Sequence, residues 1–298
     1  ARCIDHPFFS FDDWFIGSTV MDKGVPEAIK NLTLTFKYGD IEDLQRLFDN
    51  YPNKIACVIM EPATTNHPPD GYLQKVRDLA HKNGAIFILD EMITGFRWHI
   101  KGAQYYYSVE PDLCTFGKAM ANGFSLAALG GKREIMKLGS IEFEGHERVF
   151  LLSTTHGAEM SALAAFLATL DIMKSEPVIE HIWEYGNKLI SIMNKKAKEF
   201  GISEYFIADG VPCSPWYLTY DKNKNISLGM RTLFMQEMLK EKVLMPWIAL
   251  SYAHRSEELE ITEKALEKAF RLYSLALEDG YEKYLQGHVI KPVFRKYN

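Results

Sequence analysis

Lys54-Ile-Ala-Cys-Val-Ile-Met60, then Gly71-Tyr-Leu-Gln-Lys-Val-Arg-Asp-Leu-Ala-His-Lys-Asn83, then Ala85-Ile-Phe-Ile-Leu-Asp90: these three segments decide the architecture. The first and third are short apolar runs, the pattern of strands buried on both faces. The middle one repeats apolar residues at Leu73, Val76, Leu79 and Ala80, one face of a helix, and Gly84 ends it. Strand, helix and strand at this spacing predict a βαβ unit with parallel strands, hence an α/β fold. Working outward, further strands are expected at Leu113–Phe116, Leu126–Leu129 and Val149–Ser153, and helices over Glu159–Lys174 and Val178–Phe200. After about Gly201 the texture changes. A strand is expected at Pro215–Tyr220, a turn at Asp221–Asn225, a helix over Leu228–Lys242, a short extended stretch at Val243–Ala249 and a long helix over Glu257–Asp279. The reading is a large α/β domain over 1–200 and a smaller C-terminal α+β domain over 201–298.

The composition narrows the function. With 47% hydrophobic and 24% charged residues among 298, the chain has the balance of a folded globular protein and enough length for a real core. Lys and Arg total 34 against 39 Asp and Glu, so no basic excess points to nucleic acid. Cys3, Cys57, Cys114 and Cys213 form no CxxC pair, which argues against a zinc knuckle or disulfide framework and fits a reducing compartment. No apolar run approaches the length of a membrane span and no signal-peptide pattern opens the chain, so the expected location is cytoplasmic.

The chemistry is concentrated in Phe87-Ile-Leu-Asp-Glu-Met-Ile-Thr-Gly-Phe-Arg97 and Asp112-Leu-Cys-Thr-Phe-Gly-Lys-Ala-Met-Ala-Asn-Gly123. Asp90 ends one predicted strand and Lys118 follows the end of another. Carboxyl ends of parallel strands are where α/β sheets place ligands. A lysine there can be desolvated and made nucleophilic toward a carbonyl. An acid and a lysine on neighbouring strand ends suit pyridoxal phosphate: the lysine forms the Schiff base, and the acid holds the pyridinium proton that makes the ring an electron sink. Each residue alone also has an ordinary reading, the acid as a cap or ion-pair partner and the lysine as a surface residue.

Together these stretches resemble the signature of class III pyridoxal-phosphate aminotransferases, within them the glutamate-1-semialdehyde aminomutase subgroup. The resemblance runs from Phe8 to Ser251-Tyr-Ala-His-Arg255. It implies a fold-type I architecture, with a mainly parallel sheet in the large domain, and a homodimer with active sites at the subunit interface. It makes Lys118 the Schiff-base lysine and Asp90 the partner of the pyridine nitrogen. Met92 stands where the family has Val or Ile against one ring face. Glu61-Pro-Ala-Thr-Thr-Asn66 is similar to the subgroup's EPxxxN stretch, which gives Asn66 the ring hydroxyl and Glu61 a place behind the pyridine end. Glu61 could equally be a strand-end carboxylate satisfied by backbone. Phe8 takes the aromatic position on the opposite ring face, although the family's next His and Gly are Phe9 and Ser10 here. Ser153-Thr-Thr-His-Gly157 matches the STxxG segment, so Thr155, or Thr154 one residue out of register, reaches the phosphate of the neighbouring subunit's cofactor.

Gly17-Ser-Thr19 is read as an ordinary loop rather than a phosphate cup, because no helical period follows it. In the family the main phosphate cup lies upstream of the Phe8 segment. The chain therefore reads as a member lacking an N-terminal portion. Arg97 and Arg255 are secondary candidates for a substrate carboxylate. The expected activity is amino-group transfer between a small amino donor and a keto or aldehyde acceptor, or the related intramolecular 1,2 amino shift. The competing expectation is a catalytically incomplete remnant or partner subunit of the same fold. No metal site is expected.

Overall fold

The structure, a computed structural model, describes residues 2–3 (backbone), 20–63, 66–140, 142–147, 149, 159–292 and 295. By its contacts the chain divides into two compact units, Ala1–Glu176 with Phe294–Asn298, and Pro177–Val293. In the first unit the order is β1 (Arg2–Cys3), α1 (Glu27–Lys30), β2 (Thr35–Phe36), α2 (Ile41–Asn50), β3 (Cys57–Met60), α3 (Tyr72–Lys82), β4 (Ile86–Asp90), α4 (Gly102–Tyr106), β5 (Leu113–Phe116), β6 (Ala128–Gly131), α5 (Arg133–Met136) and α6 (Met160–Ser175). The sheet runs β2-β1-β3-β4-β5-β6. Its strands pair in parallel from β2 through β5, and β6 returns antiparallel on β5. The sheet is mainly parallel, as expected for the large domain. The expected βαβ unit is β3–α3–β4, with Met60 in register with Leu89. The expected strand at Val149–Ser153 lies almost wholly outside the described residues.

The sheet forms because its strands have apolar partners to cover them. Asp40 accepts the Asp43 N–H (3.0 Å) and so caps α2, whose Leu44 and Phe48 point inward. Val76 of α3 and Val58 and Phe87 of the strands are fully buried with them. Each such side chain contributes about 1.5–3 kcal/mol by leaving water.

A polar cluster fastens the amino-terminal end of β5, away from the carboxyl ends of the strands. Asp112 is buried and accepts Phe87 N–H (2.7 Å), Lys132 Nζ (2.7 Å) and His81 Nε2 (2.7 Å). Burial alone would raise its pKa. The Lys132 ammonium, the Phe87 amide and His81 outweigh burial and hold the carboxyl below the ordinary Asp range. A depressed carboxylate contributes stability that is complete above the unfolded pKa of about 3.9 and lost as pH falls through the lower folded value. Asp112→Asn is therefore expected to cost roughly 1–3 kcal/mol at neutral pH. The gap to the parent protein should close below about pH 4. Urea unfolding at pH 7 and pH 3 checks this; an equal gap at both would contradict it.

The second unit contains α7 (Val178–Glu199), β7 (Phe206–Val211), β8 (Ser214–Thr219), α8 (Leu228–Lys240) and α9 (Ser256–Asp279). β7 and β8 form an antiparallel hairpin over an aromatic core, with Phe206 4.6 Å from Phe270 and 4.9 Å from Phe234 between ring centroids. β7 was not expected; its Phe206, Ala208 and Val211 face the core. Val243–Ala249 forms no strand. Helix α7 packs with this unit. Asn194 bonds both the N–H and the C=O of Ala208 in β7, and Lys196 pairs with Glu267 (2.6 Å) and Glu263 (3.2 Å) of α9.

Candidate active site

The carboxyl ends of β3, β4 and β5 lie side by side. Their register decides which side chains meet. Met60 pairs with Leu89, which sets Glu61 level with Asp90, and Asp90 pairs with Thr115. Asp90 is 3% exposed. Its Oδ1 accepts the Thr115 hydroxyl (3.0 Å) and the Met92 N–H (3.0 Å). A carboxylate at this depth needs such donors, because a buried polar group left without a partner is costly. Glu61 is also buried, directly after β3.

Lys118 stands two residues beyond β5, at the start of a single 3-10 turn over Lys118–Met120. Its side chain is exposed in the single chain. Its backbone is in the left-handed region, φ 46°, which L-residues avoid at a cost of about 1–2 kcal/mol. At Gly117, just before it, the end of the Met92 side chain occupies the space a side chain would take. A Cβ there would come within 2.3 Å of Met92 Cε and 2.8 Å of its sulfur. Met92 therefore lies against the backbone of the Lys118 turn, and Asp90, Met92 and the Gly117–Lys118 step are brought together by β4 and β5.

Phe96 stands in the loop between β4 and α4. It too is left-handed, φ 61°, a strained state for a bulky residue. Its ring packs edge-on against Phe116 (5.8 Å) and against Phe166 of α6 (5.9 Å). Backbone strain of this kind concentrates at functional sites.

Asn66 is exposed on the loop after β3, behind two residues that the structure does not describe. The next residue is tied down: His67 Nδ1 lies 2.8 Å from the Tyr107 hydroxyl, which also accepts the Trp98 indole N–H (3.2 Å). The Tyr105–Tyr107 run thus anchors the Asn66 loop. Phe8, Thr154 and Thr155 lie outside the described residues. Arg255 is held in its own unit, over the Tyr252 ring at 4.2 Å.

Two side chains that the sequence reading passed over belong to the site. Thr115 is the hydroxyl donor to Asp90, found only through the β4–β5 register. Glu91 is fully buried immediately after Asp90. Burial, and more weakly the charge of Asp90, push its pKa above the ordinary range, against the pull of donors from Thr94, Gln104 and Ala103. Among the described residues no group of three or more His, Cys, Asp or Glu side chains could hold a metal ion, and no helix is long and apolar enough to cross a membrane.

Known proteins resemble this chain in sequence and in fold. The family model described as aminotransferase class-III matches residues 19–204, more than half of the chain. The glutamate-1-semialdehyde 2,1-aminomutase of Thermosipho africanus is 42% identical over 282 residues, 88% of this chain and 63% of that protein. The 3-aminobutyryl-CoA aminotransferase of Cloacimonas acidaminovorans is 29% identical over 271 residues, again 88% of this chain and 63% of the relative. The FumI protein of Sphingopyxis sp. MTA144, solved in its PLP internal aldimine form, superposes with a TM-score of 0.81 at 21% identity, over 96% of this chain and 66% of that one. The chain spans about 60% of the length of the curated relatives it matches.

Proposed function

Because the chain belongs to the aminotransferase class-III family, we propose that it moves an amino group between a small amino donor and a keto or aldehyde acceptor, using pyridoxal phosphate held through Lys118 and Asp90. The observation that carries this reading is a buried carboxylate, Asp90, held by Thr115 and the Met92 N–H beside the strained Gly117–Lys118 turn. These residues fit the cofactor. It needs an amine for its carbonyl carbon, an anion for its ring nitrogen and an apolar surface for its ring, and Lys118, Asp90 and Met92 are of those three kinds. When bound, pyridoxal phosphate supplies an electron sink for the charge that develops on a substrate's α-carbon.

The chain's own residues do the rest. Asp90 would hold the proton on the ring nitrogen. Lys118 Nζ would take the α-proton as general base and return it. Asn66 would serve the ring hydroxyl, with Glu61 behind the pyridine end. Phe8 would supply the second apolar face. Thr155 would serve the phosphate of the other subunit in a cytoplasmic homodimer whose two sites lie at the subunit interface. The first unit would carry the cofactor and the second would be the smaller α+β domain.

Titrating the purified chain with pyridoxal phosphate tests the reading. A new visible absorbance band, abolished by borohydride with the label retained on protein, is expected. No band at saturating cofactor would instead favour an incomplete partner subunit. The 42% identity to an aminomutase supports a second reading, the intramolecular 1,2 amino shift on glutamate-1-semialdehyde. Incubation with that substrate and no keto acid separates the two. Isomerisation of substrate without loss of amino groups marks the mutase, and dependence on an added keto acid marks the transferase.

A further inference from the structure

We propose that Glu91 is a positioning residue for Asp90 and the Lys118 turn, acting as the clasp of the loop between β4 and α4. This rests on the cofactor reading above.

The argument begins with where the Glu91 carboxylate goes. Its Oε2 accepts the Thr94 hydroxyl (2.5 Å) and the Ala103 N–H (2.7 Å), and its Oε1 accepts the Gln104 N–H (2.7 Å). The two amides lie twelve and thirteen residues along the chain, so one side chain pins the far end of the loop to its origin at the end of β4. Gly102 leaves the room for this. A Cβ there would stand 2.6 Å from Glu91 Oε1, and its φ of 83° already disfavours a side chain. A buried carboxylate costs too much to keep unless its acceptors are filled, and these are filled by the loop itself.

What the clasp encloses gives it a role. Within the loop, the Met92 N–H donates to Asp90, and the Met92 side chain lies against Gly117. Phe96 packs its ring on Phe116, and a Cβ on Gly95 would fall 2.6 Å from that same Phe116 ring. Every one of these contacts lands on Asp90 or on the two residues that precede Lys118. Opening the clasp removes the constraint that keeps Phe96 in its strained conformation and Met92 beside the turn. Glutamine cannot replace the glutamate, because both oxygens accept and its NH2 group would face an N–H donor. Aspartate is one methylene short.

The test compares Glu91→Gln and Gly102→Ala with Asp112→Asn, which weakens the fold at the other end of the sheet. Three quantities are read: amide hydrogen exchange at Ala103 and Gln104 without cofactor, the dissociation constant for pyridoxal phosphate, and the pH midpoint of the cofactor's visible band. Glu91→Gln is expected to speed exchange, weaken cofactor binding about ten- to a hundredfold and shift the midpoint, the size of effect that losing an outer partner of a binding group has at metal sites. Asp112→Asn is expected to lower the melting temperature with affinity and midpoint unchanged. Should Glu91→Gln not fold, Gly102→Ala displaces the same carboxylate from outside and carries the comparison. Faster exchange with wild-type affinity and midpoint would make Glu91 merely structural and overturn this inference alone. Failure of the wild-type chain to bind the cofactor would overturn the functional reading, and this inference with it.

Discussion

Borohydride reduction of the chain in the presence of pyridoxal phosphate is expected to leave the pyridoxyl group on Lys118 and on no other lysine. The expectation rests on position. Lys118 stands just beyond the carboxyl end of β5, next to the strand that ends in the buried Asp90. Lys118→Ala should lose the label entirely. Turnover should fall by at least the roughly 10²–10⁴-fold that a general base supplies. The fold should survive, because an exposed side chain contributes little to the core. A second measurement bears on the strain. Both lysine and alanine must hold φ 46° there, whereas glycine does so freely. Lys118→Gly is therefore expected to melt no lower than Lys118→Ala, although glycine usually destabilises. Peptide mapping that places the label on another lysine would remove Lys118 from the mechanism, and a clearly lower melting point for the glycine variant would remove the strain argument.

Asp90→Asn is the second large effect. The amide oxygen can still accept from Thr115 and from the Met92 N–H, so the strand ends should stay joined. The charge is what disappears. A neutral amide cannot hold a proton on the ring nitrogen as a carboxylate does, so the electron sink weakens where charge develops. Loss of a single preorganised electrostatic partner typically costs about 10²–10³-fold in turnover. Cofactor should still attach to Lys118, read by the same label. Turnover within a few-fold of wild type would refute the role given to Asp90, as would a variant whose main defect is a lower melting temperature.

Much of the fold was legible along the chain because its signals are local. The β3–α3–β4 unit follows from two apolar runs flanking a helical period, and β5 from a third run whose bounds the structure reproduces. The family resemblance, carried by the stretches around Asp90 and Lys118, pointed to the same end of the sheet. What escaped was non-local. The edge strand β6 runs antiparallel, which no property of Ala128–Gly131 announces, because direction is set by pairing with β5. β7 escaped as well: it contains Asp209 and Gly210, residue types that strands disfavour, and its pairing with β8 overrides that preference. The texture of the sequence changes near Gly201, yet α7 packs with the second unit, because Asn194 and Lys196 find their partners on β7 and α9.

The site divides along the same line. Residue type and place in a strand made Asp90 and Lys118 candidates, each with an ordinary reading beside it, and the family resemblance of the flanking stretches singled them out. Thr115 became a partner of Asp90 only through the β4–β5 register. Glu91 became a clasp only when the loop folded back and presented the amides of Ala103 and Gln104 to it. The left-handed backbone of Lys118 and Phe96 has no local signal at all. Neither residue prefers that state, which is found where Met92 packs on Gly117 and Phe96 on Phe116. By itself the sequence marked the candidate groups and the strand ends at which they stand. Register, loop closure and packing decided which of them touch, because hydrogen bonds and strain depend on distances between segments far apart in the chain.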